Sequence, residues 1–189
     1  MLRYLIGFVV TVGLIILLVV LLFTGGPSSP NKNVPTTGKP LDTYAATGSQ
    51  VRLTIDGPII ANQDHRQSQY TIDRDNAALS IIQGYDGTVI DTHSFSNTQA
   101  SYATFLHALE LNGFTKGNTS NSNLKSEVGH CAGGYRYVFE LINDGRDIER
   151  FWTTSCGTVR TFEGNSQFII DLFHNQIPGE SDLAIPTGL

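Results

Sequence analysis

Tyr135-Arg136-Tyr137-Val138-Phe139-Glu140-Leu141-Ile142 and Ile148-Glu149-Arg150-Phe151-Trp152-Thr153-Thr154 are two runs rich in aromatic and β-branched residues, separated by Asn143-Asp144-Gly145-Arg146. Such side chains favour strands, and Asn, Asp and Gly tolerate the positive φ that a tight hairpin turn requires. The stretch therefore predicts a β-hairpin. Folding the chain back at Asp144-Gly145 brings Cys131 and Cys156, the only two cysteines, to nearly opposite places at its open end. Opposed residues of antiparallel strands lie about 4.5–5.5 Å apart at Cα, close to what a disulfide needs. A Cys131–Cys156 bond is expected, with a bulge or the Gly133-Gly134 pair absorbing one residue of register. With no C-x-x-C motif, neither thiol is expected to be redox-active.

Downstream, Asn165 or Ser166 can cap a helix that carries Phe168, Ile169, Leu172 and Phe173 on one side and ends near Pro178. Upstream, Ser96 or Asn97 can cap another, with Tyr102, Phe105, Leu106 and Leu109 at three- and four-residue spacing and Gly113 as its stop. Before that, Val51-Leu53-Ile55 and Tyr70-Ile72 alternate with polar residues, Ala78 to Ile82 reads as a strand, and Asp86-Gly87 leads by a turn into Thr88-Val89-Ile90. Two helices with one apolar stripe each need a sheet to cover. The expected fold class is α+β, an antiparallel sheet with both α-helices packed on one face.

Residues 50–180 form the expected domain, followed by a tail over 181–189. Residues 24–49 are rich in Gly, Pro, Ser, Thr and Asn and poor in large apolar side chains, so they read as a flexible linker. Residues 1–23 hold an apolar run from Leu5 to Phe23. As a helix at about 1.5 Å per residue it would be roughly 28 Å long, close to the thickness of a bilayer's hydrocarbon core. The run is longer than a cleavable signal core and no small-residue cleavage site follows it, so an uncleaved signal-anchor is expected. Arg3 on one side is matched by Lys32 and Lys39 on the other, so flanking charge does not orient the span. The disulfide does, because such bonds persist in oxidising compartments. The domain is therefore expected outside the cytoplasm of a single-pass membrane protein.

Gly7-Phe8 resembles the junction at which type IV pilin leaders are cut, and that resemblance implies a pilus or secretion-system component. The chain departs from the family at Val12, where pilins carry glutamate. It departs again at Gly25, Gly26, Pro27 and Pro30, which end the apolar helix promptly.

Chemistry-bearing motifs are sparse. The five histidines are scattered, with no zinc spacing, so no metal and no cofactor is expected. Asp171 and His174 share a helix face, Asp64-His65-Arg66 sits before a strand, and Asp91 and His93 point to one side of another. An envelope hydrolase assembled from Asp64-His65 and Asp91/His93 is one alternative, although no nucleophile elbow accompanies them. With 17 acidic against 12 basic residues and no basic run, nucleic acid is not an expected partner. Asn118-Thr119-Ser120 fits a glycosylation acceptor. What remains is the aromatic hairpin, where Arg136, Tyr137, Arg150 and Trp152 are the candidate anchors of a binding face. The expected function is a binding or structural accessory module at the cell envelope, with a protein or glycan partner and no catalysis.

Overall fold

The computed structural model describes residues 39–157 and 159–180. Six strands, β1 (Ser49–Asp56), β2 (Arg66–Asp73), β3 (Asn76–Gln83), β4 (Thr88–Ser96), β5 (Arg136–Asn143) and β6 (Arg146–Thr154), form one sheet in the order β4-β3-β2-β1-β5-β6. Every neighbouring pair is antiparallel. Helix α1 (Gln99–Leu111) follows β4, and α2 (Ser166–His174) follows β6. The fold is α+β.

The register explains why one face became the core. Leu53 lies opposite Tyr70 and Phe139, Tyr70 opposite Leu79, and Phe139 opposite Phe151, so these large side chains share a side. They join Tyr102, Phe105, Leu106 and Leu109 of α1 and Ile169, Ile170 and Phe173 of α2 in a single buried cluster. Both helices therefore cover the same sheet face. The edge-on contact of Phe105 with Phe173, 5.2 Å between centroids, joins the two helices, and Phe162 against Phe139 at 4.4 Å extends the cluster beneath β5. Each such aliphatic or aromatic side chain stabilises by about 1.5–3 kcal/mol when fully buried.

The β5–β6 hairpin turns on Asp144 and Gly145, with φ of 50° and 75°, the paired positive values of a tight two-residue loop. Just past its open end Cys131 and Cys156 are bonded, with their Cα atoms 5.7 Å apart. The register shift lies between Leu141 and Ile142, near the turn. Gly134 serves the disulfide by its size, because a Cβ there would lie 2.6 Å from Cys131 Sγ and would also strike Ser155 Oγ.

Several local expectations change. The cap of α1 is Thr98, whose hydroxyl accepts from the Ser101 amide, because β4 runs through Ser96 and delays the helix. Asn165 caps α2 as expected, but its buried face is Ile169, Ile170 and Phe173, and Phe168 is more than half exposed. Residues assigned to the linker are also folded from Leu41. A 3-10 helix over Leu41–Ala46 inserts Leu41 and Ala45 into the core, and the Glu110 carboxylate accepts from the Leu41 amide. The spacing of Leu41, Tyr44 and Ala45 was the signal that composition concealed. Among the described residues no helix is long and apolar enough to cross a membrane. The apolar run Leu5–Phe23, the linker up to residue 38 and the tail over 181–189 lie outside them.

Candidate functional site

The face of the sheet turned away from the helices is built from the alternate residues of each strand. On β1, β2 and β3 these are Arg52 and Thr54, Gln69 and Thr71, and Ala78 and Ser80, all half-buried. Thr54, Gln69, Ser80 and Thr92 follow one another across four strands, and Arg52, Thr71, Ala78 and Ser94 make the row beside them. Hydroxyl and amide groups thus supply donors and acceptors over this part of the sheet.

On the β5–β6 side the same face is covered. Trp152, opposite Val138 and in line with Thr54, is 1% exposed. Its indole N–H donates to the Leu124 carbonyl at 2.9 Å, and the His130 ring stacks on it at 5.0 Å. The segment from Leu124 to His130 therefore lies over this part of the sheet as a wall beside the polar floor, and the disulfide at Cys131 fastens its downstream end.

A row of charge runs along the foot of that wall. Arg150 meets Glu127 at 2.8 Å and Glu140 at 3.3 Å, and Glu140 meets Arg52 at 3.4 Å. Burial alone would lower the Arg150 pKa, but the carboxylates of Glu127 and Glu140 outweigh it and hold the pKa above its usual value.

A second charged group closes the end of β1. Arg136, 2% exposed, reaches Asp56 Oδ2 with Nε at 2.7 Å and Nη2 at 2.6 Å, and donates to the Gly57 carbonyl. The other Asp56 oxygen takes the Gln67 amide at 3.0 Å and has His65 Nε2 at 2.9 Å. His65 is fully buried. Its Nδ1 faces the Pro58 carbonyl at 3.1 Å, and its ring stacks on Tyr85 with centroids 4.2 Å apart.

Of the four anchors read from the hairpin, Arg136, Arg150 and Trp152 therefore share the open face, while Tyr137 is turned into the core, where burial raises its phenol pKa. Arg136 and Trp152 are interior groups and only Arg150 is substantially in contact with solvent. The His/Asp sets are not brought together. His65 closes against Gly84 through a backbone hydrogen bond, whereas His93 stands opposite Leu79, five residues along β3 or roughly 16 Å. Asp91 and His93 pair with each other at 3.1 Å on the exposed edge strand. Asp171 accepts from Gln167, while His174 stacks on Tyr70 and lies 3.8 Å from Glu180, so that helix pair is not formed. The Tyr70 hydroxyl donates to Glu180, and burial followed by that carboxylate drives its pKa well upward. Among the described residues no group of three or more His, Cys, Asp or Glu is placed to hold a metal ion.

Asp56, Leu124, Glu127 and His130 escaped the sequence reading. Asp56 ends a strand and finds its partners 9 and 80 residues away, and the wall has no periodicity to mark it. Compared with protein-family models, with curated proteins and with solved structures, the chain matches none.

Proposed function

We propose that this chain is a membrane-anchored, extracytoplasmic binding module whose ligand surface is the open sheet face, and that its ligand is an extended, hydroxyl-rich polymer such as an envelope glycan. One observation carries the reading: both helices and the main apolar cluster lie on one side of the sheet, leaving a floor of Arg52, Thr54, Gln69, Thr71 and Ser80 beside a disulfide-fastened wall. Side-chain hydroxyls, amides and one guanidinium match the alternating donors and acceptors of a sugar chain without requiring deep burial. The anchoring rests on the Leu5–Phe23 run, and the compartment on the disulfide.

The test is retention of the full-length, detergent-solubilised protein on insoluble envelope glycan, compared with Gln69→Glu and Thr71→Glu. Retention by the parent and at least a tenfold loss in both variants, with unchanged Trp152 emission, is the expected result. No retention of the parent, or equal retention of all three, overturns the assignment. Impermeant thiol labelling in intact cells tests location separately: the cysteines should react from outside only after reduction, and reaction only in opened cells without reductant would put the domain in the cytoplasm.

A further inference from the structure

Strand β4 is the outer strand on one side of the sheet, and among the described residues no strand pairs with its free edge. Among the described residues no element covers it: Val89 is 55% exposed, Ile90 48%, and Asp91, Thr92 and Ser94 are exposed as well, while Asp91 Oδ1 accepts from the Thr92 amide at 2.8 Å. A bare edge presents a row of free N–H and C=O groups to any strand that approaches, and proteins commonly restrict such pairing with charges and bulges. Both devices are present here. Asp91 and His93 lie on the edge, and the ladder passes from Ile81 opposite Asp91 to Ile82 opposite Val89, which leaves Ile90 as the extra residue of a bulge.

Among the registers centred on residues 91, 92 and 93, charge favours one. When two copies join their β4 strands antiparallel about a two-fold axis perpendicular to the sheet, side chains that meet must come from the same face. Asp91, His93 and Phe95 stand opposite Ile81, Leu79 and Ala77 on the helix side, whereas Thr92 and Ser94 stand opposite Ser80 and Ala78 on the open side. Only registers centred on a residue, not between residues, satisfy that condition. Centring on Asp91 sets two carboxylates against each other, and centring on His93 sets two imidazoles against each other. Centring on Thr92 sets Asp91 of each copy against His93 of the other. It also retains the pair already made within each strand, where His93 Nε2 lies 3.1 Å from Asp91 Oδ2. The result is a closed ring in which each carboxylate has two imidazoles as neighbours. On the opposite side Thr92 of one copy meets Thr92 of the other.

We propose that β4 is a self-pairing edge through which two copies of this chain join their six-stranded sheets into one continuous sheet, in the Thr92-centred register specified by Asp91 and His93. This goes beyond the glycan-binding reading and does not rest on it: the floor centred on β1 and β2 stays open in the pair, and both sets of helices lie on one side.

Disulfide trapping of the full-length protein in native membranes tests the register. Residues opposed across the axis have Cα atoms about 4.5–5.5 Å apart, so Thr92→Cys should give a covalent dimer under mild oxidation. Ser94→Cys, away from the axis, should not link alone. On the Thr92→Cys background, Asp91→Lys should reduce the dimer at least fivefold, and adding His93→Glu should restore it by exchanging the two charges. Unchanged Trp152 emission in each variant verifies folding. Absence of the Thr92→Cys dimer, equal linking at Thr92→Cys and Ser94→Cys as random collision would give, linking to a different protein instead, or no rescue by the charge exchange would each overturn the proposal.

Discussion

Replacing Arg136 by Met keeps most of the side chain's apolar stem and deletes its charge. Three contacts vanish together: the two short ones to Asp56 and the one to the Gly57 carbonyl. The Asp56 carboxylate, 17% exposed at its side chain, then keeps only Gln67 and His65. Removing one partner of a buried ion pair costs about 3–5 kcal/mol because the other charge is left uncompensated. The residual solvent contact of Asp56 and its Gln67 donor put this site at the lower end, about 3 kcal/mol. That is roughly a hundredfold in the folded-to-unfolded ratio, since about 1.4 kcal/mol is tenfold. Urea titration of the full-length protein in detergent, followed by emission of Trp152, the chain's only tryptophan, reads it directly. The decisive comparison adds Asp56→Asn. If the cost is the stranded carboxylate, the double variant should be no less stable than Arg136→Met alone, with a coupling energy of about 1–3 kcal/mol. A loss below about 1 kcal/mol in Arg136→Met, or simple addition of the two single losses, would refute the reasoning.

Three further outcomes follow from the same geometry. Gly134→Ala should destabilise by about 1–3 kcal/mol through its collision with Cys131 and Ser155, whereas Gly133→Ala, with open space at that position, should leave the melting temperature unchanged. Reducing the Cys131–Cys156 bond, 25 residues apart, should cost about 3.5 kcal/mol in the chain-entropy model and increase quencher access to Trp152 by freeing the segment that covers it. Burial raises the Tyr102 phenol to about 12, with the nearby Asp73 charge adding to this and the Ser49 hydrogen bond opposing it. The unfolded chain ionises this tyrosine near pH 10, so stability should be undiminished below that pH and fall progressively from about pH 10 to 12, by up to about 3 kcal/mol from this residue; a flat urea midpoint across that window would contradict it.

What the sequence revealed, and what it concealed, depends on the range of the interactions involved. The disulfide hairpin was readable because its evidence is local: two strand-forming runs, an Asn-Asp-Gly turn and a cysteine beyond each end. The helices were readable from their stripes, although Phe168 fell outside the buried arc that Ile170 entered. The Leu41–Ala46 helix was concealed because its few apolar residues sit in a polar, proline-bearing stretch and are held by α1, far along the chain. The floor was concealed for another reason. Thr, Gln and Ser on alternate strand positions look like ordinary solvent-facing residues, and only the register shows that Thr54, Gln69, Ser80 and Thr92 line up. Trp152 read as an anchor because nothing in residues 118–130 announces that they will lie over it.

The strand order also governs how the molecule must be made. β1 is the first strand among the described residues, yet it lies inside the sheet, between β2 and β5. Its pairing with β2 forms across a short connection, but its other flank waits for residues 136–143, some eighty positions later in synthesis. Until they arrive, a nascent chain holding β1 to β4 and α1 carries two open flanks, and the one on β1 shows Val51 and Leu53 beside an unsatisfied backbone. Closing that flank is the strand pairing of longest sequence separation, and therefore the slow one. A pause in translation between residues 100 and 135 would lengthen the exposure of an aggregation-prone edge, while the disulfide, formed only after β6 is complete, would seal the finished sheet.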